Sequence, residues 1–346
     1  MFRDHFSGYI GLAEHSIAFM ERDKLALKSN LLIAGSTCLF STNDPRLLDS
    51  LSRWKAHREI GPEWDFEMRV MVNTQIVREA EAPPQFRGLQ QFVMAVFHAR
   101  ETFLFDLFER RITAVVSRET AQDHDFWNSV LMPIALGILG SSIGVAPLRC
   151  AAVESCGNGM LIAGVPGAGK SALAVALARE GFSLVADDWT YTRRELDGIS
   201  AYGLRVPVKL LPSTSRFFEE LTALRPKISL NGELTFEITP INTFGIRMEE
   251  RCVPGCVIFL ERWTREESSI EAIPGESLRK FFIGSPELIP NQLQRPNPER
   301  ERIIDQVTSR DCWLFRYGGT PQQGARALRR FYEERYDADR LCATAS

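Results

Sequence analysis

The stretch at residues 164–190, GVPGAGKSALAVALAREGFSLVADDWT, decides how we expect this chain to fold. It begins with a glycine-rich loop that ends at Lys170 and Ser171, and it continues with the apolar pattern of a helix. A short apolar strand then leads to two adjacent carboxylates, Asp187 and Asp188. A loop, a helix and a strand in this order are typical of an α/β domain that binds its ligand at the carboxyl edge of the sheet.

The glycine-rich loop matches the pattern G-x-x-x-x-G-K-[ST] at every fixed position, and it lies between an apolar strand at residues 160–163 and a helical pattern at 172–179. In such loops the glycines let backbone N–H groups turn toward an anion, and the start of the helix adds a partial positive charge. The lysine reaches the outer phosphates and the hydroxyl binds Mg²⁺. The sequence therefore predicts that ATP and Mg²⁺ bind at Gly164, Val165, Pro166, Gly167, Ala168, Gly169, Lys170 and Ser171.

The two carboxylates are expected beside this loop. A helix from Lys170 to about Glu180 rises roughly 16 Å at 1.5 Å per residue, and the following strand returns roughly 20 Å. Since these distances nearly cancel, Asp187 and Asp188 reach the same edge of the sheet as the loop, at the carboxyl end of a parallel strand. One carboxylate can then serve the metal while its neighbour faces an acceptor, and a solvated turn is the alternative.

Glu261 is a competing candidate for the metal. It lies near the end of a second apolar run, CVIFLER at residues 256–262. The path from the loop to Asp187 can be followed residue by residue, whereas Glu261 cannot be placed in that way. We therefore prefer Asp187 and keep Glu261 as the alternative.

The composition limits the partners that we expect. The 346 residues carry a formal net charge of -3 and 45% are apolar, which provides no basic field for nucleic acid. Charges interrupt the first 19 residues, so we expect no leader. Residues 130–147 reach only the lower limit of a membrane span and are diluted by proline and glycine, which favours a buried helix and no membrane partner. Seven scattered cysteines indicate reduced thiols in a cytoplasm.

Sequence patterns divide the chain into two domains. Before residue 125, alternating runs such as 102–108 and 111–117 predict antiparallel strands, and a capped, proline-containing run at 44–58 predicts a helix. From residue 146, a strand, a tight turn and a second strand lead into the phosphate loop. The predicted boundaries are an α+β accessory domain at 1–125, a connecting helix at 126–146, an α/β P-loop domain at 147–335 and a tail at 336–346.

From residue 160 to 190 the chain resembles the catalytic domain of the HPr kinase/phosphorylase family. In that family the P-loop helix runs into a strand of the form R-G-h-x-L-h-A-D-D, and this chain reads AREGFSLVADDWT at 178–190. The resemblance covers roughly residues 147–335 and implies a P-loop core related to that of phosphoenolpyruvate carboxykinases. More loosely, residues 202–212 and 253–263 are similar to segments of divergent members, some of which modify the C-terminal end of ribosomally made peptides.

Carried over residue by residue, the resemblance implies a nucleotide loop at 164–171, with Ser171 as a magnesium ligand and Asp187 on the metal side. It makes Asp188 the proton acceptor for the attacking hydroxyl, and with Lys170 the catalytic pair of an ATP-dependent kinase. A carboxylate can serve this reaction because phosphoryl transfer needs mainly positioning, neutralisation of charge and late removal of a proton.

Two features of the bifunctional members are absent from this chain. Those members place a catalytic histidine on the strand before the loop, where this chain reads PLRCAAV at 147–153, and the last histidine here is His124. The acceptor-binding signature of the family, E-[IV]-R-G-x-G, does not follow the aspartate pair either. We therefore expect neither phosphorolysis nor HPr as the acceptor.

These observations predict a kinase that transfers the γ-phosphoryl group to a hydroxyl, which we expect to be a serine or threonine of a peptide or small protein. Two other functions stay open at this point: a nucleotide-gated regulatory module without phosphoryl transfer, and a small-molecule kinase. Asp188 separates the regulatory module from a kinase, because a sensor needs Lys170 and Ser171 but no base. The sequence is also compatible with a homo-oligomer.

Overall fold

The structure, a computed structural model, describes residues 25–56, 63–79, 84–98, 100–204, 206–229, 232–265, 267–285 and 297–337. Over these ranges the chain is a mixed α/β protein with several sheets. The described residues divide into two compact units, and the division falls between Ile143 and Gly144. The first 19 residues, where we expect no leader, and the end of the expected tail at 338–346 lie outside the described residues.

The first unit is built on a seven-stranded sheet. Its strands in chain order are β1 (Leu27–Ile33), β2 (Ser36–Thr42), β3 (Phe66–Val72), β4 (Gln85–Leu89), β5 (Phe92–Phe97), β6 (Glu101–Asp106) and β7 (Arg111–Val116). Their order across the sheet is β1-β2-β3-β7-β6-β5-β4. The antiparallel strands expected at 102–108 and 111–117 are β6 and β7, which pair with each other. The helices of this unit are α1 (Pro45–Ser50), α2 (Arg118–Ala121) and α3 (Met132–Ile143).

Helix α1 is shorter than the capped run of the sequence indicates. Asp44 is the N-cap, as expected, and its side chain accepts from a backbone N–H of the first turn at 3.0 Å. The helix ends at Ser50, and a 3₁₀ turn at Ser52–Trp54 follows. This turn brings Trp54 into the core, where its indole Nε1 donates to Asn128 Oδ1 at 2.5 Å. The chain therefore leaves the α-helix at Ser50 and buries Trp54 instead.

The helical stretch Phe126–Ile143 consists of a π-helical segment, Phe126–Leu131, followed by α3. In the part of the chain that the structure describes, it is the one helix long and apolar enough to cross a membrane by length and composition, and 61% of it is buried inside the protein. Trp127 and Leu136 are among its fully buried side chains. The stretch therefore contributes to the core of the protein, as expected of a buried helix.

The second unit contains the remaining strands and helices. Its strands are β8 (Val145–Leu148), β9 (Ala151–Ser155), β10 (Asn158–Ala163), β11 (Ser183–Ala186), β12 (Thr190–Glu195), β13 (Gly198–Tyr202), β14 (Val208–Leu210), β15 (Lys227–Ile228), β16 (Leu234–Ile238), β17 (Arg251–Arg262), β18 (Ser269–Ala272) and β19 (Asp311–Tyr317). Its helices are α4 (Lys170–Arg179), α5 (Pro240–Phe244), α6 (Gly275–Gly284), α7 (Pro298–Thr308) and α8 (Pro321–Tyr332).

The main sheet of this unit has nine strands. Seven of them follow the order β11-β9-β10-β17-β13-β12-β8, while β19 pairs with β17 and β18 pairs with β19. Strands β10, β17 and β19 run parallel to one another. Strand β11 has the same direction, because both β11 and β10 are antiparallel to β9. The carboxyl ends of all four strands therefore lie at one edge of the sheet, and β14, β16 and β15 form a separate small sheet.

Helices cover both faces of the main sheet. One buried cluster contains α4 and α8, with Leu173, Leu177 and Leu328 among its members. The other contains α6 and α7, represented by Phe282 and Ile304. Helix α4 is apolar on nearly every side and is buried along most of its length, which fits a helix enclosed by the sheet and α8.

The predicted hairpin before the glycine-rich loop forms, although its turn lies one residue earlier than the GNG at 157–159 where the sequence predicts it, because Asn158 and Gly159 already pair in β10. Strands β9 and β10 pair antiparallel across a tight turn at Cys156 and Gly157, whose φ angles are 51° and 84°. Two successive residues with positive φ are typical of the turn whose twist matches a two-residue hairpin. The strand expected to begin at residue 146 is divided, however, because β8 pairs with β12 whereas β9 pairs with β10 and β11.

Candidate functional site

The glycine-rich loop leads from β10 into α4 through backbone conformations that suit glycine. Gly164 has a φ angle of 154°, and a Cβ atom there would lie 2.8 Å from the carbonyl oxygen of Leu260 on β17. Gly169 has a φ angle of 94° and immediately precedes the first residue of α4, with its carbonyl accepting from Leu173 at 2.9 Å. The loop is therefore held close to β17 and ends at the N-terminus of a buried helix, where backbone N–H groups are available to an anion.

Lys170 lies back over this loop. Only 8% of the residue is exposed, and its Nζ donates to the carbonyl oxygens of Gly164 at 3.0 Å and Val165 at 3.4 Å. Burial lowers the pKa of Lys170, and the nearby Arg149 lowers it further, while Asp188 opposes both effects. The ammonium group thus lies against the first residues of the loop. It has both carboxylates and a guanidinium group nearby.

Asp187 follows β11 directly, at the same sheet edge as the loop. Its Oδ2 accepts a hydrogen bond of 3.0 Å from the backbone N–H of Lys209 on β14. Its Oδ1 is buried and has no hydrogen-bond partner among the described residues. Burial raises the pKa of Asp187 to about 6. The Ser171 hydroxyl lies near enough to lower this pKa, although it forms no hydrogen bond to Oδ1.

Asp188 has a different environment from its neighbour. Its side chain is 49% exposed, and its Oδ1 lies 3.6 Å from the Nε of Arg149. The Asp187 carboxylate therefore has a buried oxygen and accepts a hydrogen bond from a backbone amide. The Asp188 carboxylate is half exposed and lies beside Arg149. This difference is the one that a metal ligand and an acceptor-side base would require.

An interruption between two paired strands creates this arrangement. Ala186 pairs with Ala152 in β9, and Thr190 pairs with Leu148 in β8, so both pairings share one antiparallel register. The residues between them, 187–189 on one strand and 149–151 on the other, leave that ladder. Arg149 and the aspartate pair are thus placed across from each other by backbone pairing on both sides.

Arg149 is the residue that sequence reasoning did not select. From sequence, the segment at 147–153 is considered only for its lack of the histidine found in the bifunctional members. The signal available in the sequence is a charged residue inside an otherwise apolar strand pattern, PLRCAAV. Cys150 beside it is buried and has its pKa raised to about 12 by burial, and its carbonyl accepts from the Thr190 hydroxyl at 2.8 Å.

Glu261 lies near the carboxyl end of β17 and is engaged elsewhere. Its carboxylate accepts from Arg316 Nε at 2.6 Å, and the same guanidinium donates to Glu271 at 2.6 Å. The Glu261 side chain is 50% exposed. Its position on the surface, with a bound arginine, makes it a less suitable metal ligand than the unpartnered oxygen of Asp187.

A magnesium ion would have few protein ligands here. The described residues contain no group of three or more His, Cys, Asp or Glu that could hold a metal ion. Mg²⁺ accompanying a nucleotide needs only one or two protein oxygens, because phosphate oxygens and water complete its shell. The unpartnered Oδ1 of Asp187 and the Ser171 hydroxyl suit that requirement.

The chain has a distant likeness to solved structures but matches neither a family model nor a curated protein. Among solved structures, the chain is similar to the HPr(Ser) kinase/phosphatase from Coxiella burnetii, with 13% sequence identity and a TM-score of 0.29 over 54% of this chain and 97% of that chain. The functional conclusion therefore depends on the site itself.

Proposed function

We propose that this chain is an ATP-dependent kinase that transfers the γ-phosphoryl group of ATP to a hydroxyl, with ATP and Mg²⁺ as its cofactors. The observation that carries the proposal is the pairing of a phosphate loop with two carboxylates in different environments at one sheet edge. We assign the activity to residues 147–335, preceded by an accessory domain at 1–125. We further propose a cytoplasmic protein that acts without nucleic acid or membrane and is compatible with a homo-oligomer.

The loop at residues 164–171 would hold the phosphates. Its backbone N–H groups and the N-terminus of α4 supply partial positive charge, and the Lys170 ammonium, which now contacts carbonyl oxygens of the loop, would move to the outer phosphates. Ser171 and Asp187 would hold the magnesium ion, which supplies charge neutralisation when bound. Orientation of Asp187 by the Lys209 amide favours presentation of its other oxygen.

Asp188 would accept the proton from the acceptor. The acceptor oxygen forms a bond to the γ-phosphorus while the bond to the β,γ-bridging oxygen breaks, so that ADP leaves and the hydroxyl proton passes to Asp188. Exposure of Asp188 leaves it accessible to an incoming hydroxyl. We favour a serine or threonine of a peptide or small protein because an exposed base suits a large acceptor, while a small-molecule acceptor would need further enclosure. HPr is not the acceptor that we propose.

Transfer of a labelled phosphoryl group tests the proposal. We would incubate the chain with γ-labelled ATP, Mg²⁺ and fractionated cell extract, and compare wild type with Asp188→Asn. The matched control is Asp305→Asn. It removes an exposed carboxylate on α7 that pairs with Arg279 at 2.7 Å and is not part of the proposed site. Labelling in wild type and the control, but not in Asp188→Asn, is expected. Nucleotide binding without labelling of any fraction would favour the nucleotide-gated regulatory module instead.

A further inference from the structure

Arg149 occupies a fixed position at the site proposed above. It lies between β8 and β9, and each of these strands is paired with a neighbour close to the arginine. Its Nε lies 3.6 Å from Asp188 Oδ1, which is an ion-pair distance but exceeds that of a hydrogen bond. The side chain thus reaches the acceptor-side carboxylate without using its donors on it.

The Arg149 Nε is buried and has no hydrogen-bond partner among the described residues. Buried polar atoms are nearly always hydrogen-bonded in folded proteins, so an unpartnered donor at a candidate site calls for an explanation. Asp187 Oδ1 is an unpartnered acceptor in the same group of charged residues. A donor and an acceptor that are both unsatisfied suit a ligand that combines an anionic group with a cation.

The local charges favour the same ligand. Arg149 lies near enough to Lys170 to contribute to lowering the pKa of the lysine, so the site contains two positive charges. Asp187 and Asp188 balance them in part. A guanidinium remains charged at any ordinary pH and presents several donors in a rigid plane, which matches the oxygens of a phosphoryl group.

We propose that Arg149 is a further catalytic residue of the kinase reaction, donating hydrogen bonds to the equatorial oxygens of the γ-phosphoryl group as it passes from ADP to the acceptor. The role rests on the proposed function. Charge spreads over these oxygens in the transition state, and a cation supplied by the protein's own chain can stabilise it. At 3.6 Å from Asp188 Oδ1, the Arg149 Nε lies beside the proposed base.

Binding of a transition-state mimic tests the role without knowledge of the acceptor. We would measure by calorimetry the affinity for ADP and Mg²⁺, with and without aluminium fluoride, which imitates a phosphoryl group in transfer. The variants are Arg149→Met, Arg149→Lys and, as a matched control on neighbouring strand β12, Arg194→Met, whose arginine pairs with Glu299 at 3.4 Å on the surface. Wild type and the control should bind more tightly when aluminium fluoride is present.

Arg149→Met should lose about 10²- to 10³-fold of the affinity gained with aluminium fluoride, while its affinity for ADP and Mg²⁺ alone stays within about threefold. Arg149→Lys keeps the charge but not the planar guanidinium group. The affinity that this variant gains with aluminium fluoride should be at least about tenfold lower than in wild type.

The outcomes separate the two proposals. If wild type gains no affinity from aluminium fluoride although it binds ADP, the proposed kinase function is contradicted. If wild type gains affinity and Arg149→Met gains as much, the role of Arg149 is overturned while the kinase function stands. If Arg149→Met fails to fold by circular dichroism, Arg149→Lys decides in the same way, because equal gains in the lysine variant and wild type would overturn the role.

Discussion

The backbone N–H of Lys209 donates a 3.0 Å hydrogen bond to Asp187 Oδ2, and it thereby links the end of β11 to the small sheet. This bond fixes the orientation of the carboxylate. The other oxygen, Oδ1, is buried and has no hydrogen-bond partner among the described residues. In known metal sites, hydrogen bonds from outside the ligand set fix the direction of a ligating carboxylate, and the Lys209 amide would do the same for Asp187 if it holds a metal ion.

Replacement of Asp187 by asparagine should weaken the binding of Mg²⁺ together with ATP. A neutral amide is a poorer ligand for this cation than a carboxylate, so the magnesium concentration for half-maximal binding should rise. Titration of Mg²⁺ at fixed ATP, followed by calorimetry, measures it. Glu261→Gln is the matched control, and a larger effect in that variant would transfer the metal role to Glu261.

Replacement of Asp188 by asparagine should leave ATP affinity within a few-fold and lower transfer by about 10²- to 10⁴-fold, the usual contribution of a general base. The amide keeps the shape of the side chain but cannot take the proton. Single-turnover transfer measured beside binding affinity shows both effects. If Asp187→Asn instead gives this pattern and Asp188→Asn weakens metal binding, the two roles are exchanged.

Mg²⁺ with ATP should raise the melting temperature of the wild type, since a ligand that binds the native state stabilises it. Lys170→Ala should remove most of that shift, because a charge-assisted contact to phosphate contributes about 1.5–3 kcal/mol. Thermal unfolding with and without nucleotide measures the effect. Shifts of equal size in the two proteins would show that the loop does not bind the nucleotide.

Asp187 should also make the stability of the ligand-free protein depend on pH. Burial raises its pKa from 3.8 to about 6, so the folded state holds the proton more tightly than the unfolded chain. Its contribution to the free energy of unfolding is therefore complete below the unfolded value near 3.8 and is lost as the pH rises through about 6. Asp187→Asn should gain stability relative to wild type from pH 4 to pH 7 in denaturant titrations. A difference that does not change with pH contradicts this assignment.

Alanine at position 164 should destabilise the protein by about 1–3 kcal/mol. The φ angle of 154° is unfavourable for any side chain, and the added Cβ would lie 2.8 Å from the carbonyl oxygen of Leu260. Gly255→Ala on β17 is the matched control, because a Cβ there meets its nearest atom only at 3.7 Å. Urea unfolding of both variants gives the comparison, and equal stabilities would mean that the loop yields at little cost.

Local features of the second unit could be predicted from the sequence, whereas features that depend on distant partners could not. The hairpin before the loop, the helix that begins at Lys170 and the strand before Asp187 follow from periodicity and from glycines at their ends. The division of the strand at Arg149 does not, because its cause is the pairing of β8 with β12, some forty residues away. The exposed position of Asp188 and the ion pair of Glu261 likewise depend on long-range contacts.

The distance in sequence between β10 and β17 also determines when the phosphate loop can fold during synthesis. Strand β10 pairs with β9, its immediate predecessor, but its other edge is covered by β17, roughly a hundred residues later in the chain. At 5–20 residues per second, a ribosome would deliver β17 about 5–20 s after β10. Until then Leu260, against which Gly164 packs, is missing. A nascent chain therefore carries the complete loop sequence well before it can carry the loop's folded form, and its nucleotide site can become competent only late in translation.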